Sequence, residues 1–301
     1  MKKALIVTGY ACNNNCLFCS VGDKDRSNNR SFDDILQDMK EGIENGCEIV
    51  EFIGGEVSIR PDVLSLVREA KKIGYKHVSM ETNGRMFANP KFTKAIVSSG
   101  LDVVLFSLHG HKSTIHDCLT NSPNSFSQAI RGIKEVQKHK SIIVNTNMVI
   151  TKVNYLFIKE YLTFLSHFNI NSKFLSFVNP IVNTICNSKE IVPMISEVAI
   201  CIKDALSSNT YKRVVIQNIP FCFFKNVGYN LSNSDSKSQV FISLQGLATR
   251  RLSKELKRLK TKIKKCKNCP KNNFCDGIWK NYISLYGTKE LETASFNCQS
   301  I

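Results

Sequence analysis

Six apolar runs rich in β-branched residues, separated by helical stretches, constrain this chain more than any other feature. The runs are Leu5–Thr8, Ile49–Ile53, His77–Met80, Val103–Leu108, Ile142–Ile150 and Lys173–Val178. Runs of this kind suit strands of a parallel sheet covered by helices. Between them lie helical stretches over Phe32–Asn45, Pro61–Ile73, Pro90–Ser99, Phe126–Lys138 and Tyr155–Phe168. Pro61 and Pro90 suit first-turn positions, and Gly74 and Gly100 suit helix ends. Six βα units in series predict an α/β fold that curves as a partial (β/α)6 TIM-type barrel. Right-handed crossovers then bring every βα loop to the C-terminal edge of the sheet.

The loops carry the chemistry. The first holds Ala11-Cys12-Asn13-Asn14-Asn15-Cys16-Leu17-Phe18-Cys19, a C-x3-C-x2-C spacing directly after an apolar run. Thiolates are soft ligands for iron–sulfur clusters or zinc, and a structural zinc site wants four protein ligands. Cys12, Cys16 and Cys19 have no nearby histidine, so the site is one ligand short. The second loop reads Gly54-Gly55-Glu56. Its glycines allow close backbone approach to a ligand, and its carboxylate suits an ammonium group. The third strand ends Glu81-Thr82-Asn83-Gly84 and the fourth Ser107-Leu108-His109-Gly110. On the fifth, Asn145 and Asn147 share one face.

These motifs resemble the radical S-adenosylmethionine (radical SAM) superfamily, including the aromatic Phe18 before the third cysteine. The resemblance implies a [4Fe–4S] cluster on Cys12, Cys16 and Cys19. Its open iron would chelate the amino and carboxylate groups of S-adenosylmethionine, and one electron would release a 5′-deoxyadenosyl radical. Phe18, Gly54, Gly55, Glu56, Asn83, Ser107, Asn145 and Asn147 are the cofactor-binding candidates. Val57 departs from the proline common after the glutamate, whereas Arg60-Pro61-Asp62 continues as usual.

The last third changes character. Val214-Val215-Ile216 reads as extended and leads to Ile219-Pro220-Phe221-Cys222. A polar loop is expected over Asn230–Ser238. Arg250 to Lys267 has ten Lys or Arg and one Glu, with Leu252, Leu256, Leu259 and Ile263 at helical spacing, which predicts an amphipathic helix. Cys266, Cys269 and Cys275 follow in C-x2-C-x5-C spacing. With Cys222 as the natural fourth ligand and Cys298 as its competitor, they suit a cluster or a zinc ion. The region resembles the shortened SPASM, or twitch, domain with one auxiliary [4Fe–4S] cluster. The barrel is thus expected over residues 1–205 and a small twitch-like domain over 206–301.

Cys47 and Cys201 read as small buried hydrophobes. Cys118 and Cys186, in the loops after strands four and six, are candidate hydrogen donors to a substrate radical. His109, His111 and His116 are candidate substrate contacts. Twelve cysteines in a chain of 301 residues with no h-region and no cleavage site read as metal ligands in a reducing cytoplasm rather than as disulfides. With the cluster motif starting at residue 12, no leader-binding winged helix is expected ahead of it.

The formal net charge is +16, of which the basic stretch supplies +9. It would attract an anionic partner, such as an acidic peptide or a flavodoxin or ferredoxin-like electron donor. No RNA-binding motif and no transmembrane span are present, so neither nucleic acid nor a membrane is expected as a partner. The expected activity is hydrogen abstraction from substrate. Peptide crosslinking or epimerisation is the leading reading, and a carbohydrate, antibiotic or cofactor precursor is the alternative substrate. A non-catalytic iron–sulfur or zinc protein is the other class, but it would need no cofactor pocket.

Overall fold

A computed structural model describes residues 1–21, 26, 28–180, 188–207, 210–224, 230–231, 240–243, 250–251 and 258–294. Seven strands follow one another in chain order across a parallel, curled sheet. They are β1 (Lys2–Val7), β2 (Cys47–Ile53), β3 (His77–Thr82), β4 (Val103–Ser107), β5 (Ile143–Ile150), β6 (Ser172–Phe177) and β7 (Val214–Gln217). The sheet is a partial TIM-type barrel. β8 (Asn230–Leu231) extends it beyond β7, and β9 (Val240–Ser243) pairs in parallel with the other edge of β1. β10 (Arg250–Arg251) runs antiparallel to β9. The boundary expected at 205/206 falls within the last turn of the helix Ile195–Leu206, ahead of β7, a strand that hydrogen-bonds to β6.

Helices cover the outside. α1 (Phe32–Glu44) starts at Ser31, whose hydroxyl accepts the Asp34 N–H, with Asp33 and Asp34 in its positively polarised first turn. α2 spans Val63–Lys72, α5 Ser125–Val136, α6 Ile158–Leu165 and α7 Ile195–Leu206. α3 (Pro90–Ser98) has Pro90 at its start and the Asn89 side chain as its cap. Pro61, by contrast, precedes α2 by two residues instead of sitting in its first turn.

The strands differ on their two faces. In β5, Val144, Thr146, Met148 and Ile150 are buried, while Asn145, Asn147 and Val149 are only half-buried. The buried set packs under the helices, with Phe52, Met80, Val104, Phe106 and Leu175 in the same core. The other set faces the barrel lumen. Asparagine in an apolar strand is tolerated here because its neighbours in the lumen supply partners.

Two expectations in the last third need correction. The Arg250–Lys267 stretch is not one helix. Arg250–Arg251 is strand β10, Lys260–Thr261 is strand β11 paired with β12 (Ile278–Trp279), and Lys264–Asn268 is a 3-10 turn. Only Arg258 and Leu259 are helical among its described residues, and 252–257 lie outside them. The pairing of β11 with β12 takes Lys260 and Thr261 out of helical bonding and sets Thr261 beside Gly277. The expected polar loop also begins as β8, and 232–239 lie outside the described residues. No described helix is long and apolar enough to cross a membrane.

Candidate active site

The cluster loop follows β1 and is gripped from three sides. On one side, Gly55 N–H donates to Gly9 O at 2.9 Å and Glu56 N–H to Ala11 O at 2.7 Å. A Cβ on Gly54 would lie 2.4 Å from Gly9 O, and one on Gly55 2.1 Å from Ala11 O. The two glycines thus bring the second loop against the backbone of the first, closer than any side chain permits. On the second side stands α4 (Ser113–Thr120), a helix the sequence pattern did not reveal. Its last carbonyls, Leu119 O and Thr120 O, accept from Leu17 N–H at 2.9 Å and Asn15 N–H at 3.0 Å. On the third side Arg85 donates to Asn13 O and, at 2.8 Å, to Asn14 Oδ1, while Arg26 donates to Asn14 O at 2.9 Å.

So held, Cys12, Cys16 and Cys19 line one cavity of about 350 Å³, within the range of small-ligand sites. Burial pushes the Cys12 thiol up to about 11 and Cys16 higher still, and thiolates at neighbouring positions would repel. Only a cationic metal centre offsets both costs, so the donor set fits a cluster that keeps the sulfurs ionised. Asn14 N–H already donates to Cys12 Sγ at 3.4 Å.

Glu56 lines the same cavity and is almost wholly buried. Its Oε1 accepts from Ser58 N–H, the Ser58 hydroxyl and, at 2.6 Å, the Thr82 hydroxyl; its Oε2 accepts from Asn83 N–H at 2.6 Å. Burial raises its pKa, and these donors work the other way. The carboxylate is thereby fixed in orientation at a wall where an ammonium group would find it. The neighbouring Arg60 secures the loop: it forks onto Asp62 at 2.9 and 2.8 Å and donates to Thr8 O at 2.7 Å.

Phe18, Gly54, Gly55, Asn83, Ser107 and Asn147 all line this cavity, as expected of a shared site. Asn145 does not. It lies two residues down β5, about 6.6 Å lower at the usual strand rise, and accepts from Ser172 N–H at 3.0 Å. It lines an adjoining compartment of the lumen, with Glu51 and Glu81. Burial and the neighbouring Glu51 push the Glu81 carboxyl up. Cys118 is exposed on α4 and does not line the cavity, because the helix turns it outward. Cys186 lies outside the described residues. Among the histidines, His109 lines the cavity, whereas His116 lies behind it. Sequence reasoning missed Thr82, Arg85 and Arg26. Only Thr82 carried a signal, its place beside Asn83 at a strand end.

A second thiol set converges elsewhere. Cys222 comes from the 3-10 turn Phe221–Phe223 after β7; Cys266 and Cys269 come from the turn at Lys264–Asn268 and its end; Cys275 comes from the loop before β12. All four line one pocket walled by Phe221, Ile263 and Ile278. Burial first, then the other three thiols, push Cys222 up to about 12. Gly277 (φ +84°) has its Cα against Thr261 O, where a Cβ would approach to 2.1 Å, and its N–H donates to Cys275 Sγ at 3.4 Å. Cys298 lies outside the described residues. Among the described residues, no three Cys, His, Asp or Glu side chains are spaced to hold a single metal ion. Cys47 is buried as expected, whereas Cys201 is only partly so.

A parallel half-barrel with three convergent thiols and a ligand cavity at its C-terminal mouth defines an enzyme built around a metal cluster. The chain belongs to the radical SAM superfamily, whose model matches residues 6–165. Its members use a [4Fe–4S] cluster and S-adenosylmethionine. Over 182 residues the chain is 32% identical to a "Probable GTP 3',8-cyclase" of Sulfolobus acidocaldarius, a match covering 60% of this chain and 57% of the relative. A protein of the same description from Sulfurisphaera tokodaii is 32% identical over 173 residues, covering 57% and 54%. The chain thus matches less than two thirds of the length of these relatives. Among solved structures, Streptococcus suis SuiB bound to S-adenosylmethionine superposes with a TM-score of 0.69 at 14% identity, covering 94% of this chain and 74% of SuiB. The structure of anSMEcpe with bound AdoMet gives 0.65 at 17% identity, covering 93% and 86%. At these identities the likeness is one of fold.

Proposed function

We propose that this radical SAM enzyme modifies a peptide, and that its second thiol set holds an auxiliary [4Fe–4S] cluster in a twitch-like region from residue 206 onward. The observation that carries the second cluster is the convergence of Cys222, Cys266, Cys269 and Cys275 on one pocket. Four cysteines match the ligand count of a four-iron cluster. Cys12, Cys16 and Cys19 hold the catalytic cluster. With it and S-adenosylmethionine bound, the site supplies a 5′-deoxyadenosyl radical for hydrogen abstraction. The chain's own part is positional: Glu56 orients the amino group, Ser107, Asn83 and Asn147 surround the rest, and the cavity walls limit the water that reaches the reacting centre.

The peptide reading rests on fold analogy and on room. A structure of SuiB bound to the precursor peptide SuiA shares this fold at a TM-score of 0.69 and 14% identity. Below the cofactor cavity, a further compartment of about 750 Å³ adjoins it at Glu81, Asn147 and Gln217. A side chain presented by a peptide has space to enter there. The net charge of +16 favours an acidic peptide and an acidic electron donor.

A second reading has its own observation: the sequence relatives are described as GTP cyclases, and the positive charge suits a triphosphate equally. Anaerobic incubation of the reconstituted enzyme separates the two. Any short peptide encoded beside its gene, and GTP, are each supplied with S-adenosylmethionine and reductant. Peptide modification is supported when 5′-deoxyadenosine forms in step with a mass change in a peptide. Conversion of GTP, with the peptides unaltered, overturns it.

A further inference from the structure

With the second thiol set read as an auxiliary-cluster site, we propose that Lys260 is its positioning residue. The buried ammonium clamps together the two chain segments that supply the cysteines, and its charge raises the reduction potential of the cluster they hold.

The four thiols come from stretches far apart in sequence. Cys222 follows β7, whereas Cys266, Cys269 and Cys275 lie between β11 and β12. Lys260, on β11, reaches both stretches. Its Nζ donates to Asn218 Oδ1 at 3.1 Å, four residues before Cys222. It also lies 3.9 Å from Asp276 Oδ2, on the residue after Cys275. The first contact is a hydrogen bond and the second an ion pair without one. Each partner is itself fixed. Asn218 sits in the left-handed region at φ +64°, a conformation that asparagine tolerates better than most residues. The backbone of Lys260 pairs with Trp279, whose ring stands 4.5 Å from the ammonium. A cation over an aromatic face is attracted to it. The next residue, Thr261, lines the thiol pocket itself.

Lys260 is only 4% exposed, and the Asp276 side chain is nearly as deep. Taking an ammonium out of water is costly, and a well-packed apolar side chain can often hold such a position as firmly. What an apolar side chain cannot supply is charge. Four thiolates already make a cluster site electronegative, and reduction adds one negative charge more. A fixed cation nearby, shielded from water, favours the reduced form. Asp276 acts with the opposite sign from the same buried network. Lys264 and Lys267, in the cysteine turn, are exposed, so water and salt screen them and their share is smaller. Lys260 thus joins two functions in one side chain: the geometry of the thiol set and the charge beside it.

The test uses the full chain with Cys12, Cys16 and Cys19 replaced by alanine, reconstituted anaerobically so that only the second site is loaded. About four irons are expected on this parent. A parent without iron removes the auxiliary cluster, and the proposal with it; every later outcome bears on Lys260 alone. Redox titration followed by electron paramagnetic resonance reads the potential. Lys260→Met should lower it, raising the oxidised-to-reduced ratio at a fixed potential about tenfold, a shift of about 59 mV for one electron. Lys260→Arg keeps the charge and should stay within about threefold of the parent. Asp276→Asn removes the opposing charge and should shift the potential upward. Lys260→Gln takes the place of the methionine variant if that one does not retain iron. The clamp is read as the rate of iron loss to a chelator, which should rise in Lys260→Met and stay near the parent's in Lys260→Arg. An unchanged potential or an unchanged loss rate in the neutral variant overturns the proposal. So does an equal fall in potential in Lys260→Met, Lys260→Arg and Asp276→Asn, the mark of a loosened pocket instead of a lost charge.

Discussion

The Cβ that alanine would place at Gly55 falls 2.1 Å from the carbonyl oxygen of Ala11, so the two loops framing the cofactor cavity meet backbone to backbone. That contact couples the cluster motif to the carboxylate of Glu56, whose own N–H donates to the same Ala11 oxygen. Gly55→Ala should force the loops apart at a cost of about 1–3 kcal/mol. The expected readout is a lower melting temperature together with loss of iron from the catalytic site. Full iron content and unchanged cofactor affinity in this variant would show that the loops adjust freely.

Iron counting tests the second thiol set. After anaerobic reconstitution we expect about eight irons per chain, two clusters of four. Cys222→Ala should leave about four and still cleave S-adenosylmethionine slowly, while Cys298→Ala should leave about eight. The reverse pattern would make Cys298 the fourth ligand. One tightly bound zinc with only the catalytic cluster would replace the auxiliary cluster altogether.

Arg85 offers a test of how the cluster loop is anchored. It bonds Asn13 O, Asn14 Oδ1 and the side chain of Gln128, so Arg85→Leu strips two anchors from the loop between Cys12 and Cys16. Hydrogen bonds to charged groups contribute about 1.5–3 kcal/mol each. The variant should lose its catalytic cluster faster on exposure to chelator, with the auxiliary iron unaffected. Equal loss rates in variant and wild type would mean that the remaining anchors, α4, Arg26 and the Gly54–Glu56 loop, suffice.

Acid should destabilise the fold through its buried imidazoles. Burial lowers the His116 pKa from about 6.5 to about 4. Between those values the unfolded chain binds the proton and the folded chain does not. Stability is therefore full above about pH 6.5 and falls as the pH drops toward 4, by up to about 1.4 kcal/mol per pH unit. His109, kept neutral by its own burial and by His116, acts in the same direction. His116→Gln, which retains an acceptor for the His109 N–H, should flatten only part of this slope in denaturant titrations across that range. An unaltered slope would remove His116 as a contributor.

Much of this molecule was legible because its rules are local. The strand positions follow from β-branched runs, and the start of α3 from Pro90 in its first turn. The C-x3-C-x2-C motif and Gly54-Gly55-Glu56 are short enough to be read along the chain. Where legibility failed, partners distant in sequence decided. The glycines were read as making room for a ligand, yet their first contact is the neighbouring loop. Asn145 and Asn147 looked equivalent by period-two alternation, which gives the face of a strand but not the depth along a barrel axis. The basic stretch had helical spacing, but pairing of Lys260–Thr261 with Ile278–Trp279 bent it into a ribbon and a cysteine turn.

The sequence by itself determined the class of chemistry, because thiolate spacing within one loop and the alternation of strand and helix survive any choice of packing. Tertiary structure decided which residues share a cavity. Cys222 meets Cys266, Cys269 and Cys275, Arg85 reaches back to Asn13, and Val149 N–H donates to His109 Nδ1, all across separations that no local pattern encodes. Such pairings arise only when the parallel sheet curls and brings its loop ends to one edge, since the free energy of each contact depends on the burial the whole fold supplies.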